Sequence, residues 1–146
     1  MIEVYSDIHF MKAAFQEAQK AFDQDEVPVG AIIVLENRII ARAYNLTERL
    51  TDVTAHAEMQ AITSASEYLG AKYLKGCTLF VTLEPCAMCA GALAWAQIDR
   101  IVFGAKDVNK KYVDAHIYHP KTKIEYGLME AECSDLLKDF FKKKRL

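Results

Sequence analysis

Residues 78–105, TLFVTLEPCAMCAGALAWAQIDRIVFGA, carry the decision about the fold. The apolar run Thr78–Leu83 predicts a buried strand, and Arg100–Ala105 predicts another. Between them, residues 86–97 place Ala90, Ala92, Leu93, Ala94 and Trp95 in a helical pattern. Pro85 is expected in the first turn of that helix, where a missing N–H costs nothing. Strands alternating with helices in this way argue an α/β layer architecture with a partly parallel sheet covered on both faces.

The pattern continues outward in both directions. Residues 55–69 turn helical, and Gly70 and Gly76 bracket the link to the strand at 78. Residues 29–35 are almost unbroken apolar, followed by Glu36-Asn37-Arg38 and then residues 39–44, which reads as a hairpin with a short turn. Met11, Ala14, Phe15, Ala18 and Phe22 recur at helical intervals after a candidate cap at Ser6, so a first helix is expected to end near Asp23. Downstream, residues 106–126 are polar and aromatic without a clear period and read as a long functional loop. Residues 129–144 predict a last helix burying Leu136, Leu137 and Phe140, with Phe141 as a further candidate. The expectation is one domain over residues 1–146: a three-layer α/β/α sandwich with a central mixed five-stranded sheet.

Composition narrows the function classes. With 52% hydrophobic and 26% charged residues the 146-residue chain lies far from the signature of disorder. Its N-terminus lacks a basic start followed by an apolar stretch, and no segment approaches the roughly 18 apolar residues that span a bilayer. A cytoplasmic protein without membrane contact is expected, so the four cysteines are read as thiols rather than as a disulfide framework. A net charge of −2 offers no global attraction for polyanions. Residues 138–146, however, hold five bases and one acid, either a solvated helix end or a nucleic-acid contact.

Chemistry concentrates at two places. Cys86 and Cys89 fall on one face of a helix's first turn, where the dipole favours thiolates. His56 and Glu58 open another expected helix, so two helix N-termini can converge over the sheet edge. A lone C-x-x-C is also the mark of a redox pair or of half a structural zinc knuckle, but no second C-x-x-C or H-x(3–5)-H completes a knuckle. His116 and His119 lie in that polar stretch beside Pro120 and read as loop surface, while Cys77 and Cys133 read as small buried hydrophobes. Zinc held by His56, Cys86 and Cys89 keeps its fourth position for water, whose pKa it lowers from about 15.7 to roughly 7. Glu58 is then the proton carrier, as base toward the water and as acid toward the leaving group.

These motifs, H-A-E at residues 56–58 and P-C-x-x-C at residues 85–89, resemble the signature of the cytidine deaminase-like superfamily. Within it, residues 26–31 (EVPVGA), 54–58 (TAHAE) and 82–92 (TLEPCAMCAGA) are similar to the bacterial tRNA-specific adenosine deaminases, from about residue 8 to 106 and again in the last helix. The resemblance implies one zinc ion, a homodimer, and a tRNA anticodon loop whose wobble adenosine becomes inosine. It also implies that Asn45 hydrogen-bonds the purine and that the amide of Ala57 holds a base acceptor. Asp107, Phe140 and Phe141 correspond to positions that meet the anticodon loop. After Asp107 the chain departs from the family, with no glycine in residues 108–126 and His119-Pro120-Lys121-Thr122 in place of an Asn-His. Related cores act on free guanine, cytosine or other small rings, so a small nucleobase is the alternative substrate. A zinc-stabilised RNA-binding module without catalysis is a third reading, and Glu58 argues against it, because a structural site has no use for that carboxylate.

Overall fold

A computed structural model describes residues 6–108 and 115–145. In chain order the elements are α1 (Asp7–Asp23), β1 (Gly30–Leu35), β2 (Arg38–Tyr44), α2 (Ala57–Leu69), β3 (Thr78–Leu83), α3 (Ala87–Ala96), β4 (Arg100–Ala105), a 3-10 turn (Ala115–Ile117), β5 (Lys123–Tyr126) and α4 (Glu130–Lys144). The strands form one sheet in the order β2-β1-β3-β4-β5. β1 runs antiparallel to both β2 and β3, whereas β3, β4 and β5 run parallel, so the sheet is mixed as expected.

Side chains alternate across the sheet with the period of two that a pleated strand imposes. Ile33, Leu79, Val81, Ile101 and Phe103 face α2 and α3 in one core. Ile32, Val34, Phe80 and Val102 face α1 in the other. α4 packs beside α1 against β4, which completes three layers. Thr82, 1% exposed, accepts the N–H of Gly30 at 3.1 Å and so fixes where β1 starts against β3. Among the described residues no helix is long and apolar enough to cross a membrane.

Several boundaries differ from the sequence reading. Arg38 belongs to β2, because Glu36 and Asn37 alone make the turn, with φ of 51° and 62°, the left-handed pair that suits a two-residue hairpin. α1 buries Phe10, Met11, Ala14, Ala18 and Ala21, leaving Phe15 and Phe22 only half-buried. α2 begins at Ala57 rather than at 55, and Pro85 precedes the N-cap Cys86 instead of occupying the first helical turn. The stretch 106–126 is not one loop: it holds the 3-10 turn and β5, while residues 109–114 lie outside the described residues. β5 is exposed at all four positions and carries no alternation, so only its parallel pairing with β4 makes it a strand. In α4, Cys133 and Phe140 are buried, Leu136 and Leu137 are half-buried, and Phe141 is exposed.

Candidate metal centre

Two helices start side by side at the end of the sheet. His56 is the N-cap of α2 and Cys86 the N-cap of α3, both in extended backbone conformation, with Cys89 one turn into α3. Nδ1 of His56 lies 3.6 Å from Sγ of Cys86 and 3.5 Å from Sγ of Cys89, and the three atoms all lie within 4.8 Å of one another. Tetrahedral zinc with bonds of about 2.05 Å to nitrogen and 2.3 Å to sulfur sets N and S about 3.6 Å apart. The donor set and its spacing therefore fit a zinc ion. Among the described residues no other group of His, Cys, Asp and Glu converges in this way.

The Cys89 thiol donates to Cys86, which holds Cys86 down at about 5 against the opposing effect of burial, helped by the amides of Cys89 and Met88. That same bond, then burial and the nearby Glu58, push Cys89 up. Glu58, 4% exposed in the first turn of α2, has its carboxyl raised by burial to about 7, with the Cys86 charge adding and its own backbone amide opposing. A carboxyl poised near neutrality suits transfer of a proton in either direction.

A cavity of about 260 Å³ opens over this group. That is smaller than the roughly 300–1,000 Å³ of pockets for drug-sized ligands, and it suits a nucleobase. Asn45, His56, Ala57, Glu58, Cys86 and Asp107 all line it, so six of the residues singled out in the sequence meet here. The N–H of Ala57, first residue of α2, has no partner within the helix. Asp107 is placed by its own N–H, which donates to Oε1 of Glu84 at 3.1 Å. Cys89 is fully buried and does not line the cavity. Phe141 stands apart, lining a neighbouring groove with Lys106, Val108, Lys138 and Arg145 that shares Asp107 with the cavity. Phe140 is 5% exposed, its edge against Phe22 with centroids 6.0 Å apart, so it is chiefly a core residue. His116 is exposed and His119 half-buried, its Nδ1 accepting the N–H of Lys121 at 3.1 Å, while Cys77 and Cys133 are buried as read from the sequence.

Over residues 5–145 the chain matches the MafB19-like deaminase family. It belongs to that deaminase family. The deaminase is 48% identical over 146 residues to the tRNA-specific adenosine deaminase of Aquifex aeolicus (strain VF5), covering 94% of this chain and 95% of the relative. It is also similar to a structure from a study of A-to-I editing by tRNA:A34 deaminases at the wobble position, with TM-score 0.81 and 44% identity, covering 88% of this chain and 99% of that one. A guanine deaminase from Nitrosomonas europaea superposes with TM-score 0.84 at 21% identity, covering 92% of this chain and 84% of that one, and shares the fold. The cavity also takes in residues that the sequence did not mark as functional. Val27, Val29, Thr47 and Leu83 shape the cavity. Val29 and Leu83 were read only as strand residues, Val27 falls within a stretch legible only by resemblance, and nothing in the local pattern of Thr47 marks it.

Proposed function

We propose that this chain is a zinc-dependent hydrolytic deaminase that converts the wobble adenosine of a tRNA anticodon to inosine and releases ammonia. The observation that carries the reading is the juxtaposition of a three-donor centre with a buried carboxyl, Glu58, at one cavity small enough to select a nucleobase. Near-full-length similarity to tRNA-specific adenosine deaminases supports the choice of substrate. The shared fold of the guanine deaminase does not favour either ring.

His56, Cys86 and Cys89 would hold the zinc, which supplies a Lewis acid for activating water. Glu58 accepts a proton from the attacking water and delivers it to the purine ring nitrogen. A second transfer through the same carboxyl protonates the exocyclic amine as its bond to the ring carbon breaks, so water and adenosine give ammonia and inosine without net change in protons. Asn45 and the N–H of Ala57 orient the purine from the cavity wall. Asp107 and Phe141 face the adjoining anticodon nucleotides, with Phe140 backing Phe141. We place the chain in the cytoplasm as a single deaminase domain, where its cysteines stay reduced, and as a homodimer, supported by the apolar surface of α3 around Trp95.

The test is incubation of the purified protein with an anticodon stem-loop bearing a wobble adenosine and, separately, with free guanine, cytosine and adenine. Inosine in the stem-loop is the expected product. Ammonia from guanine alone would overturn the substrate, and no ammonia from any of them would overturn the reaction.

A further inference from the structure

Glu26 is 1% exposed, yet it lies outside the cavity lining and away from the three metal donors. Both of its carboxyl oxygens are occupied. Oε1 accepts the N–H of Glu48 at 3.0 Å and Oε2 accepts the N–H of Arg49 at 2.7 Å. Those amides open a single helical turn in which the N–H of Leu50 donates to the carbonyl of Leu46 at 2.9 Å. Amides at the start of such a turn find no partner inside it, and an acidic group is the side chain its dipole favours there. The usual cap comes from the adjoining residue; here it comes from more than twenty positions away.

That connection borders the cavity. Val27 and Val29, just beyond Glu26, line it, and so do Asn45 and Thr47 at the entry to the capped turn, whose segment runs on to His56. Asn45 is already fixed to Val29, whose carbonyl accepts its N–H at 3.1 Å. Beyond Asn45, Leu46 N–H to Ala55 carbonyl at 3.0 Å and Thr54 N–H to Asp52 Oδ1 at 2.8 Å are bonds within the segment itself. Back to the Glu26 stretch the turn has the exposed bond from Arg49 Nη1 to Gln24 Oε1 at 2.8 Å and the pair on Glu26, the one buried acceptor.

We propose that Glu26 is a positioning residue, a buried clamp that pins the 47–50 turn against the Val27 stretch and thereby holds Thr47 at the substrate ring. The role at the ring rests on the deaminase reading above. Glu26→Gln keeps the shape of the side chain but turns one acceptor into a donor facing an N–H, so one of the two bonds is lost. Glu17→Gln is the control, since Glu17 is equally buried but pairs with Lys20 on α1, away from the cavity.

In the unaltered protein, hydrogen exchange at the amides of Glu48 and Arg49 should be protected although both residues are exposed at the surface. In Glu26→Gln that exchange should rise by about 10-fold or more, because opening of the turn no longer breaks two bonds to a buried acceptor. With the wobble-adenosine stem-loop, KM should rise by about 10-fold with kcat within about 3-fold, the mark of lost binding rather than lost chemistry. Zinc content should not change, and Glu17→Gln should show neither effect. Unprotected amides in the unaltered protein, an unchanged KM in a folded Glu26→Gln, a loss in kcat alone, or loss of zinc would each overturn the clamp. If the unaltered protein makes no inosine, the substrate reading fails by itself, and exchange at Glu48 and Arg49 then supports or overturns the clamp alone.

Discussion

Glu58 and the three donors sit within one turn of two helix starts, but their replacements should fail in different ways. Glu58 moves protons and holds no metal in this reading, so Glu58→Gln should keep fold and zinc while turnover falls by about 10²–10⁴-fold. Loss of zinc on that change would show that Glu58 is a ligand. His56→Ala removes one of three donors and should lower bound zinc from one per chain toward zero, with a lower melting temperature, because metal binding is coupled to folding. Metal analysis of the two variants side by side separates the roles. At this scale the sequence was most informative where spacing encodes chemistry: two cysteines three apart and a histidine two before a glutamate already specify a face and a first turn. Glu26 had no such mark, since its partners are backbone amides that any residue provides.

At the scale of the element, β1 and α1 approach each other closely at Gly30, where an added Cβ would lie 2.1 Å from the carbonyl oxygen of Ala14 and 2.4 Å from the amide nitrogen of Ala18. Backbone atoms cannot step aside, so Gly30→Ala should destabilise by about 3 kcal/mol or more, the upper end for overpacking, read by chemical denaturation. A stability close to that of the unaltered protein would show that α1 can shift. α4 poses a different question. Its cations are partly engaged within the chain: Lys143 lies over the Phe22 ring at 5.5 Å, Lys144 over Phe140 at 5.7 Å, and Lys144 also pairs with Asp25. Replacing Lys142, Lys143, Lys144 and Arg145 by Gln should cost under about 1 kcal/mol of stability, since exposed pairs contribute little. Stem-loop affinity should drop, and the log–log salt dependence should flatten by about 0.7 for each phosphate contact removed. Unchanged binding across salt concentrations would make the tail a solvated helix end.

Across the whole molecule, α1 is tied to the far side of the sheet by Arg100, which donates to Asp7 from Nη1 at 3.0 Å and also pairs with Glu125 of β5. The Arg100 hydrogen bond holds the Asp7 carboxyl below its ordinary value. The stability this contributes is present above the unfolded value and is lost as pH falls through the lowered one, so Asp7→Asn should narrow the stability gap to the parent in acid. The gap at neutral pH should be under about 1 kcal/mol, because the pair is partly exposed. Trp95 on α3 is 85% exposed, and Tyr73 shares a shallow pocket with it. If that surface is the homodimer contact, Trp95→Glu should weaken self-association by at least about 30-fold, as a buried aromatic anchor would, with folding intact by circular dichroism. Light scattering that finds the unaltered chain monomeric would refute the dimer. The sequence by itself determined the layer order and the candidate metal donors, because side-chain period and ligand spacing are local properties that survive in one dimension. Only the tertiary structure decided β5, whose exposed residues become a strand by pairing with β4, and the separation of Phe140 from Phe141. It also decided the clamp at Glu26, since each of these depends on which distant backbone arrives alongside, and no residue carries that information alone.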